Sequence, residues 1–139
     1  MFKIKYQKDK GIFYIILSNK LDYTQTIDYL NLICNTKINC QNITIITDYR
    51  NAILNETSPQ PIEKIANFVN TKLKSKYNKI KWGSISIDYM FTTGAMILMN
   101  LVTDKNLSMQ PFTTIDGLLN WTQLTNDDLD ELVLLYESN

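Results

Sequence analysis

Asp48 and Arg50 are the residue pair whose types and spacing best fit a functional site. They close the segment Asn42–Arg50, in which β-branched residues predict a buried β-strand. Residues two apart on an extended chain share one face, so the carboxylate and the guanidinium would lie together. One interpretation is an ion pair that fixes the following loop. The other is a contact to a ligand or a protein partner, with Arg50 as a bidentate donor.

A second group of polar residues follows the strand that is predicted to end at Asp88. This group leads into a helix predicted from about Gly94 to Val102. Ligands of open α/β sheets bind outside the carboxyl ends of the strands, and the free N–H groups of a helix N-terminus suit an anion. The sequence therefore predicts one ligand or partner edge. Its candidate residues are Asp48, Arg50, Asp88, Tyr89, Thr92 and Thr93.

The composition excludes several classes of enzyme. The 139 residues include no histidine, which removes the commonest general base and the Ser-His-Asp and Cys-His arrangements. No P-loop, nucleotide-binding glycine motif or metal-ligand spacing occurs, and the acidic group from Asp127 to Glu131 lacks the spacing of a calcium loop. We therefore expect no catalytic residue, no cofactor and no metal site.

The charge and the apolar runs predict a cytoplasmic protein. Lys and Arg number 14, as do Asp and Glu, and this zero net charge argues against nucleic-acid binding through overall charge. The apolar run Ile12–Leu17 is too short for a membrane span and lacks a signal-peptide cleavage site. Cys34 and Cys40 are interpreted as a core residue and a loop thiol in a reducing compartment, with a disulfide as the alternative.

Hydrophobic periodicity predicts an α/β fold. Alternating apolar residues in Phe2–Gln7 indicate a strand that pairs with Ile12–Leu17 as a hairpin and lies at the sheet's edge. Helices and strands then alternate, in the order β-β-α-β-α-β-α-β-α-α. This order predicts a mostly parallel sheet of about five strands, begun by an antiparallel hairpin. Residues 1–139 are predicted to form a single domain, with residues 125–139 as an added C-terminal helix.

The predicted order resembles the SpoIIAA-like or STAS fold, in its uncharacterised bacterial type. The resemblance rests on the Phe2–Leu17 hairpin, the strand ending Thr47-Asp48-Tyr49-Arg50, and Gln110–Trp121, where a phenylalanine precedes a helix ending in tryptophan. It implies a non-enzymatic protein that docks onto a protein partner or holds a small ligand.

The resemblance also indicates where a phosphorylation site would lie. Anti-sigma-factor antagonists of this group carry Asp-Ser-x-Gly at the start of the helix after the central strand. Residues 55–61 instead read Asn-Glu-Thr-Ser-Pro-Gln-Pro, without that motif. Ser58 is interpreted as a helix cap next to Pro59, and phosphorylation of Ser58 is the alternative.

Two functional hypotheses follow. The first is a regulatory or protein-interaction module with an unknown protein partner, and with a possible homodimer through its apolar helices. The helix near residues 94–102 is apolar nearly all round, so it either covers the centre of the sheet or meets a partner with one face. The second is a small-ligand or lipid carrier with a pocket near the 88–93 loop, which would take an anionic or apolar ligand. A hydrolase would instead need two carboxylates converging in one cleft.

Overall fold

A six-stranded mixed sheet forms the centre of the molecule. The computed structural model describes residues 1–22, 24–54, 59–102 and 104–138. The strand order across the sheet is β5-β4-β3-β2-β1-β6. The strands are β1 (Phe2–Gln7), β2 (Ile12–Leu21), β3 (Asn42–Leu54), β4 (Lys79–Ile85), β5 (Leu107–Phe112) and β6 (Val133–Glu137).

Helices connect the parallel strands. Strands β2 to β5 run parallel to one another, whereas β1 is antiparallel to both β2 and β6. The prediction of a mostly parallel sheet begun by an antiparallel hairpin is confirmed. The helices are α1 (Thr24–Asn35), α2 (Pro59–Phe68), a π-helical turn (Val69–Leu73), α3 (Lys74–Lys76), α4 (Tyr89–Leu101), α5 (Ile115–Thr122) and α6 (Asn126–Asp130).

The hairpin depends on the glycine in its turn. Gly11 has a φ of +63°, in the left-handed region that side chains disfavour. A Cβ at this position would also lie 2.7 Å from the backbone oxygen of Asn42 and 3.0 Å from the Cβ of Cys40. Glycine therefore both closes the turn and lets residues Cys40 and Asn42, at the start of β3, approach it closely.

The two faces of the sheet carry cores of different size. On the first face, α1, α2 and α4 cover a large core that includes Phe13, Ile45 and Trp82. On the second face, α5 and α6 cover a smaller core around Ile46 and Leu118. Because side chains alternate along a strand, consecutive residues of β2 and β3 contribute to opposite cores.

The predicted C-terminal helix over residues 125–139 is wrong. Thr125 does cap a helix, accepting a hydrogen bond from the Asp128 N–H at 3.2 Å, but α6 ends at Asp130. The chain then forms β6, whose backbone pairs with the open edge of β1. The ring of Tyr136 lies 5.3 Å from that of Phe2, and Ser138 Oγ accepts from the Phe2 N–H at 2.7 Å. These contacts with a distant strand override the helical spacing of the apolar residues.

The prediction that β1 lies at the sheet's edge is wrong for the same reason. Strand β1 sits between β2 and β6, and its exposed Lys3 forms an ion pair of 3.0 Å with Glu137 of β6. At the opposite edge, β5 contains Pro111, which suits a strand with only one paired side.

Two element boundaries also differ from the prediction. Strand β3 continues to Leu54, because after a register shift its residues Asn51–Leu54 pair with the end of β2. Helix α4 begins at Tyr89 instead of near Gly94, because Asp88 caps it by accepting a hydrogen bond from the Met90 N–H at 2.9 Å. Asp48 and Arg50, which were predicted to end a strand, therefore lie inside β3. Asp88, which was predicted to end another strand, caps α4.

Candidate functional site

Asp48 is the centre of a hydrogen-bonded cluster on the second face of the sheet. Asp48 is 5% exposed, and its carboxylate accepts four hydrogen bonds. Arg50 donates from Nε to Oδ1 at 3.0 Å, from Nη2 to Oδ2 at 2.7 Å and from its backbone N–H to Oδ1 at 3.1 Å. Tyr14, on the neighbouring strand β2, donates its hydroxyl to Oδ2 at 2.7 Å. A buried carboxylate is tolerated here because each of its oxygens has two donors.

The cluster holds each of its three groups in a fixed protonation state. Burial alone would raise the pKa of Asp48, but the hydrogen bonds from Arg50 and Tyr14 outweigh burial and lower it below its ordinary value. The hydrogen bond to Asp48 raises the pKa of Arg50. Burial and the bond to Asp48 raise the pKa of Tyr14. Near neutral pH these groups are a carboxylate, a guanidinium and a neutral phenol, so none is suited to transfer a proton.

The lowered pKa of Asp48 predicts a loss of stability in acid. A carboxyl group that binds protons less readily when folded contributes stability above its unfolded pKa, and this contribution disappears as the pH falls through the folded pKa. Asp48→Asn should therefore be less stable than the wild type at neutral pH, and the difference should shrink below a pH of about 4. Urea unfolding of both proteins across this range measures the effect. The exposed Asp28→Asn serves as control, and a difference for Asp48→Asn that stays constant with pH would contradict the prediction.

The other predicted site residues lie at the start of α4, on the first face. Asp88 caps the helix, Tyr89 is exposed, and Thr93 donates its hydroxyl to the Tyr89 carbonyl at 3.0 Å. Thr92 is half-buried one turn into the helix. Among them, the side chains of Asp88 and Thr93 are engaged in bonds to the helix itself.

The structure places the six predicted residues on two separate surfaces. Tyr49 stacks on Phe91 of α4, with ring centroids 4.4 Å apart and planes at 19°. Asp48, the preceding residue on β3, points to the opposite side of the sheet, where Tyr14 and Arg50 contact it. The sheet thus separates Asp48 and Arg50 from Asp88, Tyr89, Thr92 and Thr93.

An open cleft lies next to the Asp48 cluster, between the sheet and helices α5 and α6. Its volume is about 300 Å³. We call it the α6 cleft, and its lining includes Lys5, Tyr14, Arg50, Ile115, Leu129 and Asp130. Polar and apolar groups both reach it, and the Arg50 side chain is 41% exposed there.

On the other side of the molecule, α4 presents an exposed apolar surface. None of the 13 residues of this helix is charged. Its large exposed side chains, with one that precedes the helix, form what we call the α4 face. They are Ile87, Tyr89, Met96, Ile97 and Leu101.

A small cavity lies beneath α4, near the loop where the sequence predicted a pocket. Its volume is about 40 Å³, and Thr47, Tyr49, Trp82 and Phe91 contribute to its lining. A single water molecule occupies about 30 Å³ of liquid, so the space is of that order. The hydroxyls of Tyr29 and Tyr49 are 3.2 Å apart beside it, and Trp82 Nε1 donates to Thr47 Oγ1 at 3.3 Å.

Four further observations bear on function. Within the described ranges, no group of three metal-ligating side chains lies close enough to hold a metal ion. In the same part of the chain, no helix is both long and apolar enough to cross a membrane. Cys34 and Cys40 carry free thiols. Ser58, the predicted cap or phosphorylation site, lies outside the described residues.

Comparison with known proteins gives the fold its name. No protein-family model matches the sequence, and a search of curated proteins finds no significant match. A crystal structure of an uncharacterised protein from Shewanella loihica PV-4, of the DUF3478 family with a SpoIIAA-like fold, superposes with a TM-score of 0.52. The alignment covers 87% of this chain and 91% of that one, at 15% identity. The fold is SpoIIAA-like.

A second solved structure is more distant. A chain from the complex of the diguanylate cyclase SiaD with its activator SiaC, from Pseudomonas aeruginosa, matches with a TM-score of 0.42 and 11% identity. It covers 81% of this chain and 93% of that one. The match to the Shewanella loihica protein confirms the SpoIIAA-like fold predicted from the sequence. Since a fold does not determine an activity, the function has to be argued from the surfaces of this chain.

Proposed function

We propose that this SpoIIAA-like protein is a non-enzymatic regulatory module that binds another protein through the α4 face. The observation that carries the proposal is the exposure of large apolar side chains on a helix without charge. Charged residues make up 20% of the chain, yet α4 has none, and Ile87 and Tyr89 at its start are 78% and 74% exposed. Contiguous apolar patches depleted of charge are typical of protein interfaces.

The state of the Asp48 cluster supports a role without catalysis. The carboxylate is engaged by Arg50 and Tyr14, and the pKa shifts hold all three groups away from proton transfer near neutral pH. A general base needs a pKa near the working pH and an accessible lone pair, and Asp48 has neither. Asp88 is engaged as a helix cap. The same residues are better explained as supports for the sheet and for α4.

A second copy of the chain is the alternative partner, because the α4 face is self-complementary. Tyr89 and Leu101 lie at its two ends, with Met96 and Ile97 between them. An antiparallel pair of α4 helices would place Tyr89 of one copy near Leu101 of the other. No like charges would meet, and the helix dipoles would be opposed favourably.

The carrier hypothesis has less support. A cavity of about 40 Å³ beneath α4 is far below the volume of a typical ligand pocket, which is on the order of 300 Å³ or more. A lipid would need α4 to move away from the sheet, and the stacked rings of Tyr49 and Phe91 hold it there.

Residues 55–61 lack the phosphorylation motif of the anti-sigma-factor antagonists. That the protein acts without phosphorylation of Ser58 stays a prediction from the sequence.

A photo-crosslinking amino acid in place of Met96 tests the proposed interface in intact cells. We expect an ultraviolet-dependent adduct, because Met96 is 56% exposed at the middle of the α4 face. Mass spectrometry of the adduct would identify either a different protein or a second copy of the chain. In the same assay, Ile97→Lys should reduce the adduct at least about tenfold, since burying an unpaired charge at an interface costs more than 1.4 kcal/mol.

The matched control places the same crosslinker at Asn31, which is exposed on a different helix, α1. That position should give no comparable adduct. The proposal is wrong if position 96 gives no adduct, or if positions 96 and 31 capture the same proteins with equal yield. If the crosslinker captures only a second copy of the chain, the α4 face is a homodimer interface instead of a binding surface for a regulatory partner.

A further inference from the structure

Arg50 keeps hydrogen-bonding capacity that the Asp48 cluster does not use. Its Nε and Nη2 atoms donate to the two carboxylate oxygens, and Nη2 lies 3.5 Å from the Tyr14 hydroxyl. A guanidinium has five N–H donors, so both donors of Nη1 stay without a partner among the described residues. Because Asp48 holds the guanidinium in place, little conformational entropy would be lost when a ligand accepts hydrogen bonds from Nη1.

Two opposite charges in the α6 cleft are also without an ion-pair partner in the described part of the chain. Lys5, on β1, and Asp130, at the end of α6, both line the cleft, and neither forms a salt bridge of 4 Å or less. The nearby lysine Lys10 differs, because it pairs with Asp128 at 2.8 Å. The cleft thus offers Arg50 and Lys5 to an anionic group and Asp130 to a cationic group.

The charges of the cleft balance one another. Lys5 and Arg50 contribute two positive charges to the lining and Asp130 one negative charge, and the buried Asp48 that pairs with Arg50 supplies the second negative charge. A simple anion such as phosphate would therefore meet no net positive potential. A ligand that carries one charge of each sign is electrostatically matched.

Apart from Asn126 and the Tyr14 hydroxyl, the remaining lining of the cleft is apolar. Ile115 at the start of α5 and Leu129 and Leu132 of the α6 segment are half-buried, and they pack against the second core next to Tyr14. A volume of about 300 Å³ lies at the lower end of small-ligand pockets, which are mostly apolar with a few placed polar groups. An aliphatic side chain of a small ligand would find a surface to cover here.

We propose that the α6 cleft binds a small zwitterion of the amino-acid class with an aliphatic side chain. Its carboxylate accepts hydrogen bonds from Arg50 Nη1 and the Lys5 ammonium. Its ammonium group pairs with Asp130, and its side chain contacts Ile115 and Leu129. The site lies on the face of the sheet opposite to the α4 face. A test of ligand binding in the cleft is therefore independent of a test of the proposed protein interface.

Titration of the ¹⁵N-labelled protein with three probes tests this inference. The probes are L-leucine, 4-methylpentanoate, which lacks the ammonium group, and 3-methylbutylamine, which lacks the carboxylate. We expect saturable amide shifts with L-leucine at residues that line the cleft, among them Lys5, Arg50 and Leu129. Each single-charge probe should bind at least about tenfold more weakly, since one charge-assisted contact is lost.

Variants at the two unpaired charges assign the contacts without disturbing the buried pair. Lys5→Gln and Asp130→Asn should each weaken L-leucine binding about fivefold or more, as loss of one partly exposed charge contact predicts. Lys3→Gln is the matched control, because Lys3 lies two residues away on the same side of β1 but outside the cleft. The inference is overturned if L-leucine gives no saturable shift in the millimolar range, if the shifts lie elsewhere, or if a single-charge probe binds equally well. Equal binding by the wild type, Lys5→Gln and Asp130→Asn would also overturn it.

Discussion

Arg50→Ala is expected to lower the free energy of unfolding by about 2–3 kcal/mol at neutral pH. The substitution leaves the buried carboxylate of Asp48 with only the Tyr14 hydroxyl and the backbone N–H of residue 50 as donors. Breaking a fully buried ion pair costs about 3–5 kcal/mol, and the smaller value here allows for the 41% exposure of the Arg50 side chain. Urea unfolding of the variant and the wild type measures the difference.

A double-mutant cycle separates the ion pair from packing by the arginine side chain. In an Asp48→Asn background, Arg50→Ala should cost less than about 1 kcal/mol, because no buried charge is left without a partner. Arg50→Lys should fall between the wild type and the alanine variant, since lysine keeps the charge but not the two parallel N–H bonds. Equal costs of Arg50→Ala in both backgrounds would show that Asp48 and Arg50 are not coupled.

The cluster shows which part of a site a sequence can reveal. Asp48 and Arg50 were found because their spacing alone places two opposite charges on one face of a strand. Tyr14 was missed because it lies 34 residues earlier, within the apolar run of β2, and reaches Asp48 only through the register that pairs Tyr14 with Ile46. The sequence did contain one indication of this contact. A tyrosine within an apolar strand buries its hydroxyl, and a buried hydroxyl needs a hydrogen-bond partner.

The prediction that all six candidate residues share one ligand or partner edge is wrong because of the side of the sheet to which each side chain points. Ends of parallel strands do share an edge, but consecutive residues of one strand serve opposite faces of the sheet. Tyr49 contacts α4, whereas Asp48 and Arg50 face the α6 cleft. Ala52, Ile53 and Leu54 are apolar, but the continuation of β3 beyond Arg50 depends on pairing with β2 after an irregular register shift, which a local pattern does not reveal.

The C-terminal segment shows the limit of periodicity. Leu129, Leu132, Val133 and Tyr136 have helical spacing, and the predicted start of a helix at Thr125 agrees with the structure, where Thr125 and Asp128 form a capping box. The helix ends early because β1 offers unpaired backbone groups that a strand can satisfy. Since this partner lies at the other end of the chain, a local pattern could not identify it.

Phe91→Ala is expected to destabilise the protein by about 3–4 kcal/mol, within the range for large-to-small changes of buried aromatic residues. Phe91 is 6% exposed, stacks on Tyr49 and contributes to the lining of the cavity beneath α4. The substitution removes the stacked ring and adds its volume to a cavity of about 40 Å³. Phe91→Leu, which keeps most of the apolar volume, should lose less than half as much stability. Urea unfolding of the three proteins measures both costs.

Phe91→Ala also provides a test of the carrier hypothesis. An enlarged apolar cavity that stays open can bind benzene, which would raise the unfolding temperature of Phe91→Ala through ligand binding to the folded state. The wild type should show no such increase, because its cavity is of the order of one water molecule. Stabilisation of the wild type by benzene would mean that α4 moves away from the sheet readily enough to admit a ligand. The first face would then act as a ligand site, and the exposed side chains of α4 would have to be explained as part of a movable cover.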